Sequence, residues 1–495
     1  MNRLNRGKEV CLAIVLWATT ALALSAQVFS SQHSFDYTDG SLPQAALVQA
    51  ANGNLYGATY EGGANGNGGT IFQITPQGAL TTLYNFCSRS ACTDGNGPKS
   101  TLVQDAHGSF YGTTYQGGAY DEGMVFKLTP SGTLTALYSF CPDSGCPDGA
   151  LPAAGAVEAT NGNFYGTTYG GGASDLGTVF EVTPGGTLTT LYSFCAKTGC
   201  TDGSYPSAAL IQASNGNFYG TTLFGGGSKA ACSDGCGTAF EITPGGTLTT
   251  LYSFCSHSGC TDGEFPSGSL IQATDGYFYG TTSAGGNSAC VSGCGTIFKI
   301  SPGGTLSILH SFDGTDGSIP DAGLVQGSDG NLYGTTQGGG ANGNGTAFKI
   351  NPGGTLTTLY SFCSQGGDSC TDGAAPTGAL LQDTNGSFYG TTSSGGESNA
   401  SCVGGCGTVF RLGVSLSPFV KAQPGSGQVG NPVAILGTNL TGASSVSFNG
   451  TTAKFKVVSN SLITTTVPEA ATTGTVRVVT PGGTLLSNVP FRVLP

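Results

Sequence analysis

The chain has 495 residues, 85 of them Gly, with only 9% charged residues and a net charge of −12 at pH 7. So acidic and Lys/Arg-poor a surface argues against nucleic acid and anionic membranes as partners. That much Gly would fit disorder, but regularly spaced aromatic and β-branched segments point to a folded all-β protein in which Gly serves turns.

At the start, Arg3, Arg6 and Lys8 precede an apolar run from Val10 to Leu24, with small residues at Ala23, Ser25 and Ala26. This order reads as a secretory signal peptide over residues 1–26. The run is shorter than the ~20 residues of a spanning helix, and no later stretch is longer. The expectation is export with cleavage, to the cell surface, the periplasm or the medium, without stable membrane insertion. Cys11 and Trp17 leave with the leader.

From residue 27 to 413 one motif organises the chain: Phe-Tyr-Gly-Thr-Thr and its variants return at Tyr56, Tyr111, Tyr165, Tyr219, Tyr279, Tyr333 and Tyr389. A period in the fifties signals a repeat architecture. Each unit reads as four strands and two tight hairpins, clearest from Ser207 to Phe254. The first hairpin carries Asn52-Gly53, Asn161-Gly162, Asn215-Gly216, Asp275-Gly276, Asp329-Gly330 or Asn385-Gly386, the pair that a type I′ turn favours, with His107-Gly108 in the second unit. The second hairpin uses Pro then Gly, as at Pro184 to Gly186. Seven such units describe a seven-bladed β-propeller. The last unit stops at Leu412 without a fourth strand, while His33 to Pro43 matches His310 to Pro320 almost position for position. Val28 to Phe35 is therefore expected to close the ring as the outer strand of the seventh blade, against residues near 405–412, removing two open sheet edges.

After the leader, sixteen Cys remain in eight close pairs. Five pairs follow the outer strand: Cys87 with Cys92, Cys141 with Cys146, Cys195 with Cys200, Cys255 with Cys260, and Cys363 with Cys370. Three lie between the second and third strands: Cys232 with Cys236, Cys290 with Cys294, and Cys402 with Cys406. In an exported chain these are most simply local disulfides. Units without the first Cys, at Phe35 and Phe312, also lack the second. A zinc site is the alternative, but His at ligand spacing is missing around most pairs.

Strand alternation puts all eight pairs on one face of the ring, the face to search for a site. It also carries a turn with Asp39, Asp94, Asp148, Asp202, Asp262, Asp316 or Asp372 in every unit. These form either a carboxylate ring for Ca²⁺ or a cationic substrate, or a loop-shaping residue; recurrence in every unit favours the second. Function is sought where symmetry breaks. After Gly-Thr-Thr stand Tyr60, Tyr115 and Tyr169 in the first three units, with Asp121, Glu122 and Asp175 in adjoining loops. Such aromatics beside carboxylates can stack on and hydrogen-bond a sugar; loop filler is the plainer reading. No serine elbow, phosphate loop or His-Glu-x-x-His occurs. No catalytic residue, metal or cofactor is assigned.

Residues 414–495 change character: Cys disappears and short Val/Thr-rich strands alternate like a β-sandwich. At Gly430 to Leu440, Val446 to Gly450, Val467 to Gly474 and Thr480 to Gly483 this module closely resembles the IPT/TIG immunoglobulin-like family, whose members serve as spacers or adhesion domains in bacterial surface proteins. The repeats, with their Tyr-Gly-Thr-Thr, Gly-Gly and Thr-Pro-x-Gly segments, resemble the bacterial choice-of-anchor GloVer tandem-repeat family. That resemblance implies export and often a C-terminal sorting anchor; Arg492 to Pro495 carries no hydrophobic tail or basic stop of that kind. The expected function is a monomeric, non-enzymatic, disulfide-braced surface protein binding a glycan or another surface protein. The alternatives are a polysaccharide-active hydrolase or lyase, which needs two carboxylates such as Asp121 and Asp175 to converge, and a purely structural surface-layer component.

Overall fold

The computed structural model describes residues 28–105, 108–227, 232–365 and 370–494; the leader, with Cys11 and Trp17, and His107 of the second unit's turn lie outside them. The protein is all-β. The first strands are β1 (Val28–Ser34), β2 (Val48–Gln49), β3 (Leu55–Thr59), β4 (Thr70–Ile74) and β5 (Leu80–Asn85). Strands β2 to β5 form one antiparallel sheet, and the pattern recurs to give seven four-stranded sheets in a propeller-like arrangement. In the seventh, β1 supplies the outer strand and pairs with Thr408–Gly413, from Val28 opposite Gly413 to Ser34 opposite Thr408, as the sequence match predicts. Among the described residues no helix is long and apolar enough to cross a membrane.

The innermost strand is shorter than its sequence implies, with only two ladder residues per unit, such as Ile211–Gln212. Its Gln looks sideways instead. Gln104, Gln212, Gln272, Gln326 and Gln382 each accept a backbone N–H from the preceding unit at 2.8–3.2 Å. Gln49 does the same with Thr384 of the seventh unit, closing the ring.

The hairpins correct one expectation. Only the Gly of each Asn/Asp-Gly pair has positive φ, +82° at Gly53, whereas Asn52 does not, so the turns are not type I′. The Gly53 N–H donates to Ala50 and the Ala50 N–H to Asn54, a three-residue loop in which a type I turn is followed by a left-handed Gly. The Asn acts through its side chain: Asn52 Oδ1 accepts the Asn54 N–H at 3.0 Å and its Nδ2 donates to the Tyr56 hydroxyl at 2.8 Å.

The recurring motif is explained by packing. Its Tyr lies against the Phe that opens the next unit's motif, with Tyr111 and Phe164, Tyr165 and Phe218, and Tyr219 and Phe278 stacked at 4.0–4.1 Å. Its Gly admits the third-strand Phe: a Cβ on Gly280 would sit 2.5 Å from Phe298 Cζ and 2.8 Å from Leu270 Cδ2. The first Thr bonds between units, as Thr167 to the Ala208 carbonyl at 3.2 Å, and the second within its sheet, as Thr168 with Thr178 at 2.8 Å. Edge-to-face Phe pairs, from Phe35 and Phe72 to Phe362 and Phe410, repeat at all seven junctions.

The C-terminal module packs two four-stranded sheets around Val433, Ile435, Val446, Phe448, Ile463 and Val476. It stands across the hairpin end of the ring, with hydrogen bonds to the seventh, second and fourth units: the Phe419 N–H donates to Thr384, Gln423 Nε2 to Gln104 O and the Arg492 guanidinium to Ala213 O. Beside this contact Asp383 is 1% exposed, with Oδ2 unpartnered. Burial pushes its carboxyl up to about 6, against weaker opposition from the Asn385 N–H and Arg411. Being raised above the unfolded value, it favours folding below pH ~4 and withdraws on the order of 3 kcal/mol as pH rises through 6. Asp383→Asn should therefore stabilise the protein at pH 7.5 and flatten chemical-denaturation stability between pH 4 and 6; an unchanged pH slope would contradict this.

Candidate functional site

Opposite the module, the loop face is built on the Asp of each unit. In five units this Asp accepts a Tyr hydroxyl from the outer strand, from Tyr84 on Asp94 to Tyr360 on Asp372, at 2.7–2.9 Å. In the two units without an outer-strand disulfide, His33 meets Asp39 at 2.7 Å and His310 meets Asp316 at 2.6 Å. Backbone N–H groups of the same loop complete each set, as Ala196 and Lys197 do at Asp202. These carboxylates thus turn into their own loops.

All eight Cys pairs are disulfides, joined as their spacing predicts. After the outer strands Cys87 is bonded to Cys92, Cys141 to Cys146, Cys195 to Cys200, Cys255 to Cys260 and Cys363 to Cys370. Between second and third strands Cys232 is bonded to Cys236, Cys290 to Cys294 and Cys402 to Cys406. The spacing does not foretell the backbone of the first kind. Both partners of all five outer-strand bridges are left-handed, with φ of 46–66° from Cys146 and Cys370 to Cys141, so each loop reverses at both ends of its bridge. The second Cys then turns its carbonyl inward: those of Cys92, Cys146, Cys200 and Cys370 each accept two N–H groups, one from the Gly after the loop's Asp and one from the Gly-Gly segment, such as Gly95 and Gly118 at Cys92. That doubly bonded carbonyl ties the bridge to the loop that follows the second strand. Cys236, Cys255 and Cys260 cluster, but their sulfurs are bonded and offer no thiolate to a metal.

At the mouth, two side-chain rings meet. The residue before each unit's Pro, where extended backbone is usual, is instead left-handed: Leu42, Leu151, Tyr205, Phe265, Ile319 and Ala375 have φ of 52–56°, and Gly97 has 66°. Its carbonyl accepts the N–H of the residue after Gly-Thr-Thr, as Leu151 does from Tyr169. Its own N–H reaches the preceding unit's loop: Phe265 donates to Cys236, Ile319 to Cys294 and Leu42 to Cys406. The three short disulfide loops are thereby pinned to the rim.

The predicted Tyr60, Tyr115 and Tyr169 come together on this rim. Burial pushes all three phenols up, and Tyr115 is raised further by Tyr169, Tyr60 and Glu122 around it. The arc continues through Tyr205, 4.8 Å from Tyr169, to Phe224 and Phe265. The predicted carboxylates divide. Asp121 and Asp175 sit at equivalent left-handed positions of successive loops, each Oδ1 accepting its own loop's N–H, from Gly117 at 3.1 Å and Gly171 at 2.9 Å. Glu122 is half-buried, and burial, then Asp121 and Asp175, raise its carboxyl.

Inside the arc opens a well of about 490 Å³ that includes Tyr115 and Tyr169 in its wall. The position just after each Pro rings it: Gln44, Lys99, Ala153, Ser207, Ser267, Asp321 and Thr377. Lys99 lies 3.9 Å over the Tyr115 ring, and desolvation lowers its ammonium. Asp321 is raised by desolvation, and accepts the Ser267 hydroxyl at 2.9 Å. The hydroxyls of Ser207 and Thr377 are buried without a partner. Sequence reasoning passed over this ring, although Lys and Asp at an otherwise small or neutral repeat position were visible. At the hairpin end a second cavity of about 540 Å³ lies between the inner-strand ring, including Val48, Val157 and Leu381, and the module's Phe419, Lys421 and Gln423.

A family model described as the Gloeobacter/Verrucomicrobia repeat matches residues 19–231, 143–326, 199–410 and 288–443, and an IPT/TIG domain model matches 418–493. No curated protein matches the chain. Among solved structures, a fungal alcohol oxidase of the AA5 family in complex with copper is similar at 14% identity and a TM-score of 0.51, over 95% of this chain and 99% of that one. A luciferin-regenerating enzyme aligns at 11% identity and a TM-score of 0.39, over 80% of this chain and 98% of that one. A putative gluconolactonase aligns at 10% and 0.37, over 80% and 94%. At such identities the likeness of the first concerns the fold alone.

Proposed function

The chain belongs to the Gloeobacter/Verrucomicrobia repeat family, and for this member we propose a non-enzymatic binding role: an exported, closed seven-bladed propeller that takes a glycan at its loop-face mouth. The observation that carries the reading is the aromatic arc of Tyr60, Tyr115, Tyr169 and Tyr205 over a well walled mainly by Ala, Gly, Ser and Thr. Aromatic faces supply apolar contact to sugar rings, and hydroxyl and amide groups below supply orientation. The eight disulfides fit an exported protein, and the leader is its export signal. The IPT/TIG module serves as spacer or second contact.

A second reading is polysaccharide cleavage, for which Glu122, whose carboxyl is raised by burial and then by Asp121 and Asp175, is the candidate acid. Against it, Asp121 and Asp175 have the same loop-shaping job in neighbouring units rather than two different roles. The test incubates the oxidised mature protein with a panel of bacterial and plant polysaccharides, following retention and new reducing ends together. Retention without new ends is expected, weakened about tenfold, roughly 1.4 kcal/mol, by Tyr115→Ala or Tyr169→Ala at unchanged melting temperature. New ends that vanish in Glu122→Gln would replace this reading with the second; retention indifferent to both tyrosines would move the site elsewhere.

A further inference from the structure

The well holds two charges that the protein itself does not pair. Lys99, in the second unit, and Asp321, in the sixth, occupy the same repeat position in the wall of the well, three units apart around the ring. Among the described residues neither makes an ion pair: Lys99 has only the Tyr115 face, and Asp321 only the Ser267 hydroxyl. The Ser207 and Thr377 hydroxyls on the same ring are buried without a hydrogen bond. Lys99 and Asp321 are half-buried, and a half-buried charge without a counter-ion opposes folding. Nothing in the repeat requires them, because equivalent positions carry Ala153 or Gln44.

We propose that the ring after the prolines recognises a saccharide bearing both a carboxylate and an ammonium group, the carboxylate meeting Lys99 and the ammonium meeting Asp321. This rests on the glycan reading above and adds the ligand's charge pattern. A ligand with both charges removes both desolvation penalties at once. A ligand with one charge leaves the other penalty in place, and a ligand with the opposite arrangement brings like charges together. The aromatic arc selects for a sugar ring, whereas the Lys99 and Asp321 pair selects among sugars.

The experiment titrates the full mature protein by calorimetry with muramic acid, which has both groups, with N-acetylmuramic acid, which has only the carboxylate, with glucosamine, which has only the ammonium, and with glucose. Muramic acid is expected to bind at least tenfold tighter than each of the other three. Lys99→Met should abolish its advantage over glucosamine, and Asp321→Asn its advantage over N-acetylmuramic acid, each with thermal unfolding checked separately. Equal binding of all four sugars would overturn this inference while leaving the glycan reading standing; so would a muramic acid preference that both variants retain. Binding of none by the folded protein would overturn both.

Discussion

Deletion of Val28–Ser34 is expected to yield protein that elutes as aggregate in size-exclusion chromatography and lacks a cooperative thermal transition. The segment is the outer strand of the seventh sheet, pairing along Thr408–Gly413. Its Phe29 stacks on Tyr360 at 3.8 Å and meets Phe362 edge-on at 5.9 Å, so it also joins the sixth unit to the seventh. Losing this partly buried aromatic removes about 1.5–2 kcal/mol, and six ladder pairs go with it. The total approaches the roughly 5–15 kcal/mol that holds a whole domain together. The strand left at 408–413 then presents an open, apolar edge, a template for pairing with another chain. A truncated protein that stays monomeric with an unchanged midpoint would show that the ring closes without its clasp.

Asp262→Ala should lower unfolding free energy by about 3–4 kcal/mol, the largest expected effect of a single surface-loop substitution. The Asp262 carboxylate accepts the Tyr252 hydroxyl at 2.7 Å, the Ser256 N–H at 2.8 Å, the Ser256 hydroxyl at 2.9 Å and the His257 N–H at 3.2 Å. Truncation leaves the half-buried Tyr252 hydroxyl and the loop's Ser256 and His257 N–H groups without their acceptor, in a loop whose other anchor is the Cys255 to Cys260 disulfide. Burial pushes this carboxyl up, but the hydrogen bonds outweigh it and hold the group below the usual range. A lowered carboxyl stabilises above pH ~4 and loses that contribution as pH falls through its folded value. The gap between wild type and variant in denaturant titrations should therefore be full at pH 7 and shrink in acid. A gap that stays constant to pH 2 would mean the carboxylate charge contributes nothing.

Much of this architecture can be read from residues alone, because it rests on features repeated in every unit. The missing last strand and the His33 to Pro43 match identify the clasp, and paired presence or absence identifies the disulfides. Local backbone was less legible. Asn-Gly can start two kinds of hairpin, and only the loop length, set by where β2 and β3 begin to pair, decides between them. The spacing that pairs Cys87 with Cys92 says nothing of the left-handed turn at each, which the carbonyl contacts of the folded loop impose. The mouth divides in the same way. Tyr60, Tyr115 and Tyr169 stand out as aromatics at one motif position. Lys99 and Asp321 needed the knowledge that a residue after Pro faces the axis, which a two-residue inner strand hardly announces. The left-handed Leu42, Tyr205 and Phe265 run against the local preference of residues before Pro; tertiary hydrogen bonds to the neighbouring loop override it.

The module across the hairpin end has a topological consequence. With Phe419, Lys421 and Gln423 standing beneath the inner-strand ring, the axis is blind, and a linear polymer cannot be threaded through it like a bead on a string. On the glycan reading proposed above, only a terminus or a short side branch would descend into the well, so the number of places a polysaccharide offers would scale with its ends and branch tips, not with its length.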